Sequence, residues 1–162
     1  MLASVTEGRL LLVDTADQLP PSSAPVGAAI ALSRRDGLRE LRQNVHEAAH
    51  DAGHSEERQH DLVTAASEAG MNAIVHGGGG VAQVSVGADG MVQVRVEDHG
   101  TGISMENLPQ ATLSRGFSTK ATLGHGLKLM LETADRLYLL TGEGGTTIVL
   151  EQEQEKQLPT WL

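Results

Sequence analysis

The sequence predicts an α+β fold in two layers, a mixed and mostly antiparallel sheet with helices on one face. Three observations carry that prediction. Apolar residues recur at helical steps in three stretches, alternating strand patterns occur in two pairs, and the order along the chain is helix, helix, hairpin, long loop, helix, hairpin.

Taken in order, residues 1 to 25 end in Pro20-Pro21-Ser22-Ser23-Ala24-Pro25, which cannot hold a helix and reads as a flexible or extended lead-in. The domain is expected to start near Val26 and run to Glu151. Val26 to Leu32 suits a short strand, although a buried helical turn fits so few residues as well. Leu38, Leu41, Val45, Ala48, Ala49 and Ala52 then mark an amphipathic helix, with Asp36 placed to cap its start and Gly53 to close it. Ser55 with Glu56 and Glu57 opens a second helix, lined by Leu62, Ala66, Ala69 and Ala73 and stopped by the glycines at 77–80. Ala82-Val84-Val86 and Val92-Val94-Val96 form a hairpin across Gly87-Ala88-Asp89-Gly90. From Gly100 to Leu123 there is no clean period beyond a helical turn around Ser104 to Leu108, and loops this long are uncommon unless functional. After Gly124-His125-Gly126 a third helix follows through Leu127, Met130, Leu131 and Ala134. Strands at Leu137 to Thr141 and Thr146 to Leu150 close the domain, and residues 152–162 are a polar tail carrying Trp161.

At 162 residues with 40% hydrophobic content, the chain suits one domain with one core. It has no apolar run long enough to span a membrane and nothing resembling a signal peptide, so a cytoplasmic protein is expected. The absence of cysteine excludes disulfides, thiolate metal sites and cysteine nucleophiles. An excess of 21 acids over 12 Lys and Arg, with 2% aromatics, argues against nucleic acid and anionic membranes as partners.

Three groups of residues could carry chemistry. Glu68 and Asn72 lie four apart on one helix face, in a row with Thr64 and His76. A solvated polar stripe fits that spacing. The small residues around them, Ala65, Ala66, Ala69, Gly70 and Ala73, also leave room for a ligand, and a carboxylate beside an amide could hold magnesium and orient a proton acceptor. Asp98 shares the parity of Val92, Val94 and Val96, so its carboxylate should face the apolar side, where it needs a donor. An ordinary Asp turn would explain it; Gly100 and Gly102 would equally let a flat ligand approach. Ser118-Thr119-Lys120 and Leu123-Gly124-His125-Gly126-Leu127 place hydroxyls, a cation and a glycine turn ahead of a helix, which is either a plain junction or an anion site. The GxxxxGK[ST] spacing of a Walker loop is absent. His76, His99 and His125 lack a conventional zinc spacing, and loop positions in a nucleotide pocket account for them more simply. His46 invites a phospho-acceptor reading, but its helix lacks a dimerising hairpin.

In that order, SEAGMNAIVHG (67–77), EDHGTGI (97–103) and RGFSTKATLGHGLKLM (115–130) resemble the N box and two glycine boxes of the GHKL (Bergerat-fold) ATPases. Within that superfamily the chain is most similar to bacterial anti-sigma-factor and switch-type serine/threonine kinases, from about Leu38 to Leu150. The resemblance implies the Bergerat sandwich, ATP and Mg2+ as ligands, Glu68 as general base, and Asn72 as the magnesium ligand. It implies that Asp98 accepts the adenine amino group, that Gly100 and Gly102 shape the pocket, and that Ser118, Thr119, Lys120, Gly124, His125, Gly126 and Leu127 belong to the lid and phosphate cradle. Thr122 departs from the pattern, standing where many relatives have a glycine. The implied activity is phosphorylation of a small STAS-type antagonist protein, with a sigma factor as a further partner and a homodimer by analogy. The alternatives are a nucleotide-gated binding module without transfer, and a detached histidine-kinase catalytic domain.

Overall fold

The computed structural model describes residues 9–33, 35–100 and 118–155, without the side chains of Arg35 and residues 118–124. Gly102, Trp161 and the turn expected around Ser104 to Leu108 lie outside the described residues. The described strands are β1 (Leu10–Leu12), β2 (Ala24–Pro25), β3 (Ile30–Ala31), β4 (Gly80–Val86), β5 (Val92–Asp98), β6 (Arg136–Gly142) and β7 (Gly145–Gln152). The described helices are α1 (Arg35–Asp51), α2 (Glu56–Val75) and α3 (Ser118–Thr133), with a 3-10 turn at Ala16–Gln18. The strands form one sheet in the order β1-β6-β7-β5-β4-β2, with β3 also on β4. Only the β1–β6 pairing among these is parallel. The expected α+β sandwich with a mixed, mostly antiparallel sheet is therefore the fold.

Alternation along the strands separates the two faces. Val92, Val94 and Val96 of β5, Ile148 and Leu150 of β7, and Leu137 and Leu139 of β6 are buried in one cluster with the apolar faces of the helices. Ala65, Ala66 and Ala69 of α2 are fully buried and Ala73 nearly so, and these short side chains bring the helix backbone close to its neighbours. A Cβ on Gly70 would fall 2.8 Å from Leu38 Cδ1 and 3.2 Å from Leu41 Cδ2 of α1, so a methyl group there would require these leucine ends to shift.

Most local signals act as expected. Gly53 has φ +85, and the bonds from Gly53 N to His50 O (3.0 Å) and from His54 N to Ala49 O (2.9 Å) complete a Schellman ending for α1. Ser55 caps α2 by accepting from Arg58 N at 3.3 Å. Asp36 is the exception: α1 begins at Arg35, so Asp36 lies inside the first turn, where its charge faces the helix dipole without capping it.

Two boundaries differ from the sequence expectation. The stretch expected as one strand over Val26 to Leu32 is split, because Gly27 adopts φ +79 and divides the ladder on β4 into β2 and β3. The expected domain start near Val26 also omits part of the sheet. β1 pairs with β6, and Leu10, 1% exposed, belongs to the core. Between β1 and β2 the chain crosses the sheet's outer face: Leu19 is buried, Arg95 Nη2 donates to Pro20 O at 2.7 Å, and Gln93 Nε2 donates to Pro21 O at 3.2 Å. Prolines cannot supply ladder N–H groups, but their carbonyls accept from these outward-facing side chains.

On that outer face the buried Glu151 accepts from Gln93 Nε2 at 3.0 Å and from Arg136 Nε at 2.9 Å. Burial opposes the charge of Arg136, yet hydrogen bonds to Glu153 and Glu151 outweigh it and hold the guanidinium above its ordinary range. Burial, followed by the charge of Glu151, raises Tyr138. If the lead-in is part of the folded unit, Leu10→Ala should lower unfolding stability by about 2–4 kcal/mol in urea denaturation. A loose lead-in would make the same substitution nearly neutral.

Candidate functional site

Helix α2 holds the first two residues of the site. Glu68 is half-buried and Asn72 is 7% exposed, one turn apart on the edge of the helix that faces α3. The contact is close because α3 presents a glycine there: a Cβ on Gly126 would sit 3.1 Å from Glu68 Oε2, 3.5 Å from Asn72 Oδ1 and 3.7 Å from Asn72 Nδ2. Asn72 Nδ2 is buried and, among the described residues, has no hydrogen-bond partner. An unmatched buried amide costs on the order of 1–3 kcal/mol, so this position has a donor to offer to a ligand, to ordered solvent or to a group outside the described residues.

The third residue comes from the sheet. Asp98 ends β5 on the helix-facing side, half-buried, as its parity predicts. Its Oδ1 accepts from the amide of Gly100 at 3.0 Å and from that of Thr146 at 3.3 Å. The second donor follows from register, since Asp98 and Thr146 are Cα partners in the β5–β7 ladder. Thr146 Oγ1 is in turn 2.9 Å from Thr141 Oγ1 of β6. The carboxylate also packs against the backbone of Gly77, just past the end of α2, where an added Cβ would lie 2.4 Å from Asp98 Cγ. The Gly77 amide meanwhile bonds Ala73 O at 3.1 Å and Asn72 O at 3.2 Å. The end of α2 thus joins the two halves: Glu68 and Asn72 lie one to two turns before it, and Asp98 rests directly on it.

A shallow hollow of about 320 Å3 opens beside Asp98, lined by Thr141, Gly145 and Thr146 and, toward the outer face, by Asp14, Glu97 and His99. Glu68 and Asn72 do not line it, so this hollow is not the whole of the site.

The structure corrects one part of the sequence reading. Gly124, His125 and Gly126 do not form a glycine turn in front of a helix, because α3 begins at Ser118 and contains them. Ser118, Thr119 and Lys120 form its first turn. Each interior glycine disfavours a helix by about 1 kcal/mol, which is why the sequence suggested a later start. At Gly126 the missing side chain is what lets α3 lie against Glu68 and Asn72. Leu127 is fully buried in the core, and His76, His99 and His125 are exposed. Sequence reasoning missed Gly77, read only as a helix stop, and Thr146, read only as the start of a strand; the hairpin register was the signal for the second.

Residues 32–151 match the family described as "Histidine kinase-like ATPase domain", and the chain belongs to that family. No curated protein matches the chain. Among solved structures it is similar to that of the RsbU and RsbW domains of Rv1364c from Mycobacterium tuberculosis, at 21% identity and a TM-score of 0.54, covering 78% of this chain and 32% of that one. It is also similar to the SiaB–SiaC complex from Pseudomonas aeruginosa, at 11% identity and a TM-score of 0.51, covering 77% of this chain and 87% of that one. At these identities the likeness is one of fold. The chain spans only 32% of the Mycobacterium chain.

The unmatched amide makes a prediction about stability. Asn72→Ala removes a buried donor and improves helix propensity, so it should leave the unliganded protein as stable as the unaltered chain or raise it by up to about 1 kcal/mol in thermal or urea unfolding. A loss above about 2 kcal/mol would mean that Asn72 has partners in the free protein.

Proposed function

We propose that this chain is an ATP-dependent protein kinase that transfers a phosphoryl group to a serine or threonine hydroxyl of a small STAS-type antagonist, and so frees or captures a sigma factor by partner switching. The observation that carries the proposal is the buried amide of Asn72, unpartnered among the described residues, beside Glu68 and beneath Gly126, on the same helix whose end braces Asp98. Family membership makes ATP the expected ligand. The residues suit it: Asp98 offers an acceptor for an adenine N–H, Asn72 an amide oxygen for magnesium, and Glu68 a carboxylate that can take the proton from a hydroxyl. Ser118, Thr119 and Lys120 are proposed to meet the phosphates from the first turn of α3, where free amides and the helix dipole favour anions. Bound Mg-ATP would supply the activated phosphoryl group and neutralise its charge. The protein would then contribute chiefly positioning, on which phosphoryl transfer mostly depends.

The partner assignment draws on the resemblance, and on similar structures that join RsbU with RsbW domains and SiaB with SiaC. A homodimer and a cytoplasmic location belong to the same proposal. Among the described residues no helix is long and apolar enough to cross a membrane.

The test is transfer from γ-labelled ATP to a purified STAS-domain protein. Glu68→Ala should slow transfer by about a hundredfold or more while leaving ATP affinity within about threefold. Undiminished transfer by that variant would remove Glu68 from the role of base. Binding of ATP without transfer by the unaltered chain would favour a nucleotide-gated binding module.

A further inference from the structure

Three consecutive glycines after α2 have different reasons to be glycine. Gly78 and Gly79 adopt φ +73 and +114, backbone conformations that side chains resist. Gly77 is not among the residues with positive φ, so the backbone does not require glycine there. What requires it is space. A Cβ on Gly77 would fall 2.4 Å from Asp98 Cγ, 2.6 Å from Asp98 Cβ and 2.7 Å from Asp98 Oδ1, and a Cβ on Gly100 would fall 2.7 Å from Gly77 Cα. Asp98 Cβ is not the free end of a flexible chain, so the clash cannot be relieved by a small rotation at the tip.

We propose that Gly77 is a positioning residue that fixes the Asp98 carboxylate for reading a purine base. The inference rests on the nucleotide reading above and adds a residue to it. Gly100 N and Thr146 N both donate to Oδ1. Among the described residues Oδ2 has no partner, which leaves one oxygen for an N–H donor of the ligand. A side chain at position 77 would collide with Asp98 in the rotamer that presents Oδ2. Because the Gly77 amide also bonds the carbonyls of Asn72 and Ala73, the same residue sets the offset between base recognition at Asp98 and phosphate-side chemistry at Asn72 and Glu68. A methyl group at position 77 therefore damages base discrimination first.

The experiment compares ATP with ITP, which lacks the exocyclic amine, by calorimetric titration of the full chain. The unaltered protein should prefer ATP by about tenfold or more, the worth of a hydrogen bond to a charged acceptor. Gly77→Ala should bring that preference close to one by weakening ATP, while ITP stays within about threefold. In an Asp98→Asn background the same substitution should change neither affinity further. If Gly77→Ala melts too low for titration, Asp98→Gly in the same chain removes the clashing atoms and should restore the melting temperature. An ATP preference that survives Gly77→Ala, or a melting loss that Asp98→Gly does not repair, overturns the proposal. Failure of the unaltered chain to bind ATP would overturn the nucleotide reading as well, whereas ATP binding with an unmoved preference would overturn this inference alone.

Discussion

The site depends on how closely helix α2 approaches its surroundings. Its inward face carries alanines and Gly70, which lies tight against the end of Leu38 of α1. Gly126 of α3 meets α2 on another side, and Gly77 at the helix end meets the last residue of β5. Each contact is close where one partner is a glycine, most tightly at Gly77. Larger residues at these crossings would move the helix outward and separate Glu68 and Asn72 from Asp98, while the sheet could keep its pairing. Close packing thus sets the geometry of the polar groups, whose own bonds are too few to do so.

The two faces of the sheet divide the labour. The helix side holds the core and the candidate site. The outer side is covered in part by the segment from Leu19 to Pro21, whose carbonyls take hydrogen bonds from Gln93 and Arg95, with Glu151 and Arg136 paired alongside. This covering anchors the strand that ends in Asp98 from behind, so the lead-in contributes to holding the site although it supplies none of the residues proposed for it. Removing Arg136 would leave the buried Glu151 without its cation, which costs more than the pair contributes, whereas Arg136 also pairs with Glu153 at 2.6 Å.

The fold class was legible because period is a strong signal. Valines at every second position in β5, and apolar residues at steps of three and four in α1 and α2, leave little choice of element. The parity of Asp98 was legible for the same reason. The start of α3 was not, because Gly124 and Gly126 are helix breakers by propensity and only the contact with α2 shows why a glycine is tolerated there. The roles of Leu10 and of the proline segment were hidden because β1 is short and pairs with β6, more than a hundred residues away in sequence. Gly77 lies within a recognisable motif, but a sequence shows a glycine without showing what it avoids.

The most direct measurement is a titration with Mg-ATP followed residue by residue through backbone amide resonances. The largest changes are predicted on Asn72 to Gly77, on Gly100 and Thr146, which hold Asp98, and on Gly126. Changes confined to the outer side of the hollow around Asp14, Glu97 and His99, or no changes at saturating Mg-ATP, would contradict a nucleotide site built on the end of α2.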